Sequence, residues 1–217
     1  MKGQTQAVTA VLTTGVIVGA VASAYVWGIP LIEKRQGQAE INSLESSVLE
    51  VESAIDSVSD SGEGSRESVE LGLQNGAVRV NATGNYIEIT AYASGAQYPV
   101  NTWRMLRGKE ERGLSIDSGE YAISGSDQAG TVAAKRVSDA NSAIKYRVEF
   151  RNMQVSTPSG NALKQVDLQS SGSPRASGDV EIVVMNDGKE FDRGAQGVDV
   201  QDRTLDRTRT VVDVDLR

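Results

Sequence analysis

An uncharged run near the amino terminus restricts the possible folds of this chain more than any other feature. Residues 4–32, QTQAVTAVLTTGVIVGAVASAYVWGIPLI, contain no Asp, Glu, Lys or Arg. As an α-helix the run would be about 44 Å long at 1.5 Å per residue, whereas a bilayer core requires only about 20 apolar residues. The sequence therefore predicts a long apolar helix over residues 4–32 that a bilayer or other protein must cover.

A narrower apolar pattern follows directly after this run. Six apolar residues recur at spacings of 3, 4, 3, 4 and 3, the a/d repeat of a heptad helix: Ile41, Leu44, Val48, Val51, Ile55 and Val58. The residues between them are mostly polar, so we expect an amphipathic helix over residues 33–60. Such a stripe packs on another surface. The protein's own domain or a helix of another subunit can supply that surface, and the sequence leaves both open.

Short runs of alternating apolar residues occupy the rest of the chain. A polar, glycine-containing stretch predicts a linker over residues 61–68, and a β domain follows over residues 69–217. Asn75-Gly76, flanked by alternating apolar residues, predicts a two-residue hairpin turn, and a second turn is expected at Gly84-Asn85. Further candidate strands are residues 85–93, 119–124, 131–137, 144–150, 163–169, 179–185 and 210–216. The predicted fold class is α+β, with the long hydrophobic helix, the amphipathic helix and an antiparallel β-sandwich head.

The composition argues against catalysis and against nucleic-acid binding. The chain has no His and no Cys, which removes the commonest general base and every Ser-His-Asp or Cys-His arrangement. Its net charge of -7 disfavours a phosphate-rich partner and suits solubility at high salt. The acidic clusters at residues 187–192 and 199–206 lack the ligand spacing of a calcium-binding hand. We expect no enzymatic activity, no cofactor, no metal and no nucleic-acid partner.

Three interpretations of the opening segment give the protein three different functions. In the first, the segment is a secretory signal that begins at Lys2 and is cleaved after Ala22-Ser23-Ala24, so that the mature chain starts at Tyr25. Against this interpretation, the apolar run continues to Ile32. A cleaved product would therefore begin with an exposed apolar tail.

In the second interpretation the segment is an uncleaved membrane anchor. Tyr25 and Trp27 would lie at the membrane interface, with Lys34 and Arg35 just outside it. The protein would then be a single-pass cell-surface binding protein that displays its β domain on a short coiled-coil stalk.

The third interpretation starts from Lys2-Gly3-Gln4, which stands immediately before the apolar run. A basic residue, then Gly, then Gln in this position resembles the processing site of class III signal peptides, found on archaeal type IV pilins and archaellum filament proteins. In that family a prepilin peptidase cuts after the Gly on the cytoplasmic side, and the apolar segment is retained. The resemblance implies a leader of residues 1–3 and a cut between Gly3 and Gln4. The retained helix first lies in membrane lipid and later packs in a filament core.

The resemblance also implies partners and roles for other residues. Identical or related pilin subunits would pack on the helix, where Gly15 and Gly19 form a GxxxG pair that permits close helix approach. The heptad residues Ile41 to Val58 would extend the bundle, and the β-rich head would face solvent at the cell surface, where it could serve adhesion. Asn81, in Asn81-Ala82-Thr83, fits the acceptor pattern for N-glycosylation.

Overall fold

A computed structural model describes residues 2–93, 98–108, 129–137, 143–158, 160–192 and 206–217. It begins with one α-helix, α1, over Lys2–Asp60. The strands that follow are β1 Arg66–Asn81, β2 Tyr86–Tyr92, β3 Arg104–Arg107, β4 Gly130–Arg136, β5 Ala143–Phe150, β6 Met153–Thr157, β7 Gly160–Gln169, β8 Arg175–Asp192 and β9 Arg207–Leu216. The predicted α+β class, with one long amino-terminal helix before a β-rich region, is confirmed.

The apolar and amphipathic helices expected from the sequence form a single helix. Its 59 residues correspond to a length of about 88 Å at 1.5 Å per residue. Pro30 lies inside this helix and has no N–H to donate to the preceding turn. The helix nevertheless continues through Pro30, so the two segments form one rod.

All nine strands belong to one sheet, in the order β3-β4-β5-β2-β1-β8-β9-β7-β6. Neighbouring strands are antiparallel except for β7 and β9, which are parallel. The expected sandwich of two sheets is not confirmed, because β1 pairs with β2 along one edge and with β8 along the other and so joins the two halves.

The hairpin predicted at Asn75-Gly76 is wrong. β1 runs through both residues and pairs with β8 before and after them. Between Gly72 and Ala77, five steps along β1 correspond to two steps along β8, so three extra residues form a bulge. An odd number of extra residues reverses the alternation of side chains. Leu71 before the bulge and Val78 after it are therefore both buried, although their spacing is odd.

The turn predicted at Gly84-Asn85 is confirmed between β1 and β2. Asn85 has a positive φ of 54°, and its Nδ2 donates to the carbonyl oxygens of Phe150 at 2.9 Å and Val166 at 2.7 Å. Its Oδ1 accepts a hydrogen bond from the backbone N–H of Leu168 at 2.8 Å. Phe150 belongs to β5 and Val166 to β7, which four strands separate in the sheet order. The sheet therefore curves enough for one side chain to bridge them.

Most of the candidate strands coincide with strands of the sheet. Six of them overlap β2, β4, β5, β7, β8 and β9, while residues 119–124 lie outside the described part of the chain. Sequence patterns missed β3 and β6, which are short and form the two edges of the sheet. The linker is shorter than expected, because β1 already begins at Arg66.

The core lies between one face of the sheet and the carboxy-terminal part of α1. The six heptad residues of the helix, here called the seam, are 0–8 % exposed: Ile41, Leu44, Val48, Val51, Ile55 and Val58. They share one apolar cluster with residues of β1, β2, β5 and β8. The sequence left two surfaces open for this stripe, and in the structure the stripe packs on the protein's own sheet.

Candidate functional site: the projecting helix and its joint with the head

Burial divides α1 into two segments. Residues 37–60, the docked segment, carry the seam and pack on the β-rich region, here called the head. Residues 11–36, the projecting segment, contain no buried residue among those whose side chains the structure describes. The division falls at Gly37, which is buried, and not at the predicted boundary between residues 32 and 33.

The projecting segment presents large apolar side chains in every direction. Between Val11 and Ile32 these side chains are 39–82 % exposed, with Trp27 at the upper limit. The most apolar stretch has a mean hydropathy of 1.9, and the part of the chain that the structure describes covers none of it. Among the described residues α1 is the one helix that is long and apolar enough to cross a membrane. A helix in the core of a soluble domain would be covered by its own domain, and this one is not.

Two hydroxyl groups of the projecting segment form hydrogen bonds within the helix. The Thr13 hydroxyl donates to the carbonyl of Thr9, and the Ser23 hydroxyl donates to the carbonyl of Gly19, both at 2.8 Å. These internal bonds mean that the Thr13 and Ser23 hydroxyls keep a partner when the surface is covered by lipid or by another helix. The segment therefore tolerates an apolar environment despite its Thr and Ser content.

The small residues predicted for helix packing face open space. A Cβ atom placed on Gly15 or Gly19 would meet nothing within 4 Å. In a regular helix Gly15 precedes Val51 by about ten turns of 3.6 residues, so the glycines lie on the same side of the rod as the seam. Packing within the chain does not require a glycine at either position.

Aromatic and basic residues mark the end of the projecting segment nearer the head. Tyr25 is 69 % exposed and Trp27 82 % exposed, and Lys34 and Arg35 are exposed about two to three turns later. This order of aromatic and then basic side chains is typical of a helix that leaves a membrane.

Asn186 fastens the carboxy-terminal end of α1 to the head. Its Nδ2 donates to the carbonyl oxygens of Val58 at 2.9 Å and Ser61 at 3.0 Å, so it bonds both to the last turn of the helix and to the residue that follows it. Its Oδ1 accepts a hydrogen bond from the Gly188 N–H at 2.8 Å, across a bulge in which Gly188 has a φ of 112°. Sequence reasoning missed this residue, although Asn-Asp-Gly is a turn signal within a strand pattern.

A partly buried ion pair adds a polar contact beside the seam. Glu52, which is 2 % exposed, accepts a hydrogen bond from Nη1 of Arg107 in β3. A Cβ atom on Gly130 of β4 would collide with the Glu52 carboxylate, so a larger residue there would require the Glu52 side chain to move. Burial raises the pKa of Glu52, and the Arg107 guanidinium opposes this effect without cancelling it.

The residues predicted for processing and for glycosylation lie apart from this joint. The backbone of Lys2, Gly3 and Gln4 is helical, and their side chains lie outside the described part of the structure. Asn81 ends β1 and is half-buried; its Nδ2 donates to the Tyr86 hydroxyl at 2.8 Å and its Oδ1 accepts from the Gly84 N–H at 2.9 Å.

Comparisons of the chain with models of protein families, with curated proteins and with solved structures give no match. The function is therefore inferred from the two segments of α1 and from the chemistry of their surfaces.

Proposed function

We propose that the protein is a structural subunit, major or minor, of an archaeal type IV pilus-like surface filament. The observation that carries this proposal is the projecting segment, an apolar rod that the described residues of the head leave uncovered and that is continuous with the docked segment. In this proposal the rods leave the membrane and bundle in the filament core, while the heads face solvent. The work of the molecule is assembly and not catalysis.

The length of the apolar surface favours covering by neighbouring protein helices over covering by a bilayer alone. Residues 7–32 correspond to about 39 Å of helix at 1.5 Å per residue, and the hydrocarbon core is about 30 Å thick. A single helix would have to tilt by about 40° to place all of this surface in lipid, the upper end of the observed range. Neighbouring rods in a bundle would cover the whole length without that tilt.

The small residues on one side of the projecting segment support helix-to-helix contact. Gly15 and Gly19 expose backbone on one side, and close approach there lets dispersion replace hydrophobic exclusion as the source of attraction. The seam is already occupied by the head, so contacts between copies along the docked segment would use its polar outer face.

The second candidate function is a single-pass anchored binding protein of the cell surface. The exposed Tyr25 and Trp27, followed by Lys34 and Arg35, favour it because the same order is found where helices leave a membrane. A subunit that waits in the membrane before assembly would need these residues as well, so they do not distinguish the two functions.

Electron microscopy of sheared surface material and intact-mass analysis of the natural protein test the proposed function together. We expect thin filaments that contain this chain, and a mature chain that begins at Gln4 after removal of residues 1–3. A chain that begins at Met1 without filaments would support the anchored binding protein, and a chain that begins at Tyr25 would support secretion. The same mass reports a glycan on Asn81 as an increment that disappears in the Asn81→Gln variant.

The double variant Gly15→Leu/Gly19→Leu tests whether the small-residue face packs against another helix. We expect the yield of filaments to fall strongly, because two isobutyl groups hold the neighbouring backbone away. Leu is a better helix former than Gly by about 1 kcal/mol per residue, so a loss of assembly would not come from a weakened helix. The matched control, Val21→Leu, adds one methylene on the opposite side and should assemble like the natural chain. Normal filaments from the double variant would contradict the role of this face.

A further inference from the structure

Two carboxylates of the docked segment lie at its contact with the head and not on its solvent side. Glu45 and Glu52 are seven residues apart, two helical turns, and therefore share one flank of the helix next to the seam. Glu52 is buried and Glu45 is half-buried. The proposed function uses neither of them.

Glu52 is surrounded by few compensating charges. Arg107 of β3 faces it directly, and the side chain of Arg107 is 34 % exposed, so water screens part of its charge. Gly130 of β4 faces it with no side chain, and Asp56, one turn further along the helix, adds a like charge. Burial raises the pKa of Glu52 against the opposing effect of Arg107.

Glu45 faces two tyrosines and one arginine of the head. Its Oε1 accepts a hydrogen bond from the Tyr98 hydroxyl. Tyr98 packs edge to face on Tyr146 of β5, with ring centroids 6.0 Å apart, and the buried Tyr146 hydroxyl has no hydrogen-bond partner in the described structure. Burial raises the pKa of Glu45, and the charge of Arg104 opposes this without cancelling it.

We propose that the joint between helix and head is a proton-sensitive latch, in which protonation of Glu45 and Glu52 tightens the docking of α1 on the sheet. Because both groups hold protons more readily in the folded joint than in the unfolded chain, the folded state is favoured as the pH falls. The stabilisation is present at acidic pH and is lost as the pH rises through the raised pKa values of the two groups. The latch does not depend on whether the protein forms filaments.

The composition of the chain makes this proposal easy to test. With no His and no Cys, no side chain has its ordinary pKa between 5 and 8, so a change of stability in this range reports carboxylates whose pKa is raised, along with the α-amino group. Two other carboxylates in the described part of the chain have raised pKa values: Asp56, through burial and the charge of Asp60, and Asp187, through burial and the charges of Asp213 and Glu63. Both stay unchanged in every variant, so they are present in all of the chains that are compared.

The experiment is a denaturant titration of the full chain in detergent micelles at pH 5, 6, 7 and 8. We expect the denaturant concentration at the unfolding midpoint of the natural chain to increase as the pH falls. The variant Glu45→Gln/Glu52→Gln should have a higher midpoint than the natural chain at pH 8 and a smaller change with pH. The control Glu50→Gln/Glu67→Gln replaces two exposed carboxylates and should follow the natural chain. Equal pH dependence of the natural chain and the Glu45→Gln/Glu52→Gln variant would overturn the proposal.

A carbon-13 NMR titration of the natural chain provides an independent test if the double variant does not fold. The carboxyl carbons of Glu45 and Glu52 should titrate above the ordinary range for Glu, while that of the exposed Glu50 serves as the reference in the same spectra. Midpoints for Glu45 and Glu52 at or below the Glu50 midpoint would overturn the latch.

Discussion

Replacing Ile55 with Asp is expected to separate the helix from the head and to unfold the head itself. Ile55 is fully buried in the seam, and truncation of such a side chain to Ala costs about 2–5 kcal/mol. An unpaired carboxylate in the same place adds the cost of its desolvation. Because native domains are stable by only about 5–15 kcal/mol, this one change removes much or all of the stability. Circular dichroism during denaturant titration of the full chain in detergent measures the loss.

The matched control for this variant is Ser53→Asp. Ser53 lies on the same helix, two residues earlier, and is exposed, so the same carboxylate remains in water there. Surface changes of this kind usually alter stability by less than about 0.5 kcal/mol. Similar midpoints for Ile55→Asp and Ser53→Asp would mean that the seam is not packed on the head in solution.

Removal of the projecting segment should convert the protein into a soluble monomer. A chain of residues 37–217 keeps all six seam residues and the Asn186 contacts at the helix end, so we expect it to fold with nearly the stability of the full chain. It loses the exposed apolar side chains between Val11 and Ile32, which are the part that requires lipid, detergent or other copies. Light scattering and sedimentation in detergent-free buffer measure the result.

A further truncation distinguishes the projecting segment, which affects solubility, from the docked segment, which affects stability. A chain of residues 46–217 also lacks Ile41 and Leu44, and it should be soluble but clearly less stable than residues 37–217 because part of the core is gone. Persistent association of residues 37–217 without detergent would show that the head, and not the projecting segment, holds the copies together.

The helix could be predicted from the sequence because its signal is local. The uncharged run and the heptad spacing are each contained in a short window, so composition and period alone identify both segments. What covers the docked segment is decided by residues far away in the chain. The seam fits the head because β1, β4, β5, β8 and β9 all contact the helix and contribute residues to the same apolar cluster, and no local pattern reports that arrangement.

The sheet also shows that local sequence patterns do not determine long-range pairing. Asn75-Gly76 has the local chemistry of a hairpin turn, but pairing of β1 with β8 on both sides of it selects a bulge instead. Asn186 and Arg107 bond to Val58 and Glu52, which are 128 and 55 residues away in sequence. Contacts between residues so far apart in the sequence depend on the order of the strands in the sheet. Local sequence patterns could therefore not identify the joint between helix and head.

The continuity of α1 through both segments has a mechanical consequence. The docked segment lies along the head with its contacts spread from Ile41 to Val58, a distance of about 26 Å at 1.5 Å per residue. A pull on the projecting segment along its axis therefore loads all these contacts in shear at the same moment, whereas a sideways pull would peel them apart one after another. The molecule should withstand tension along the rod far better than leverage across it.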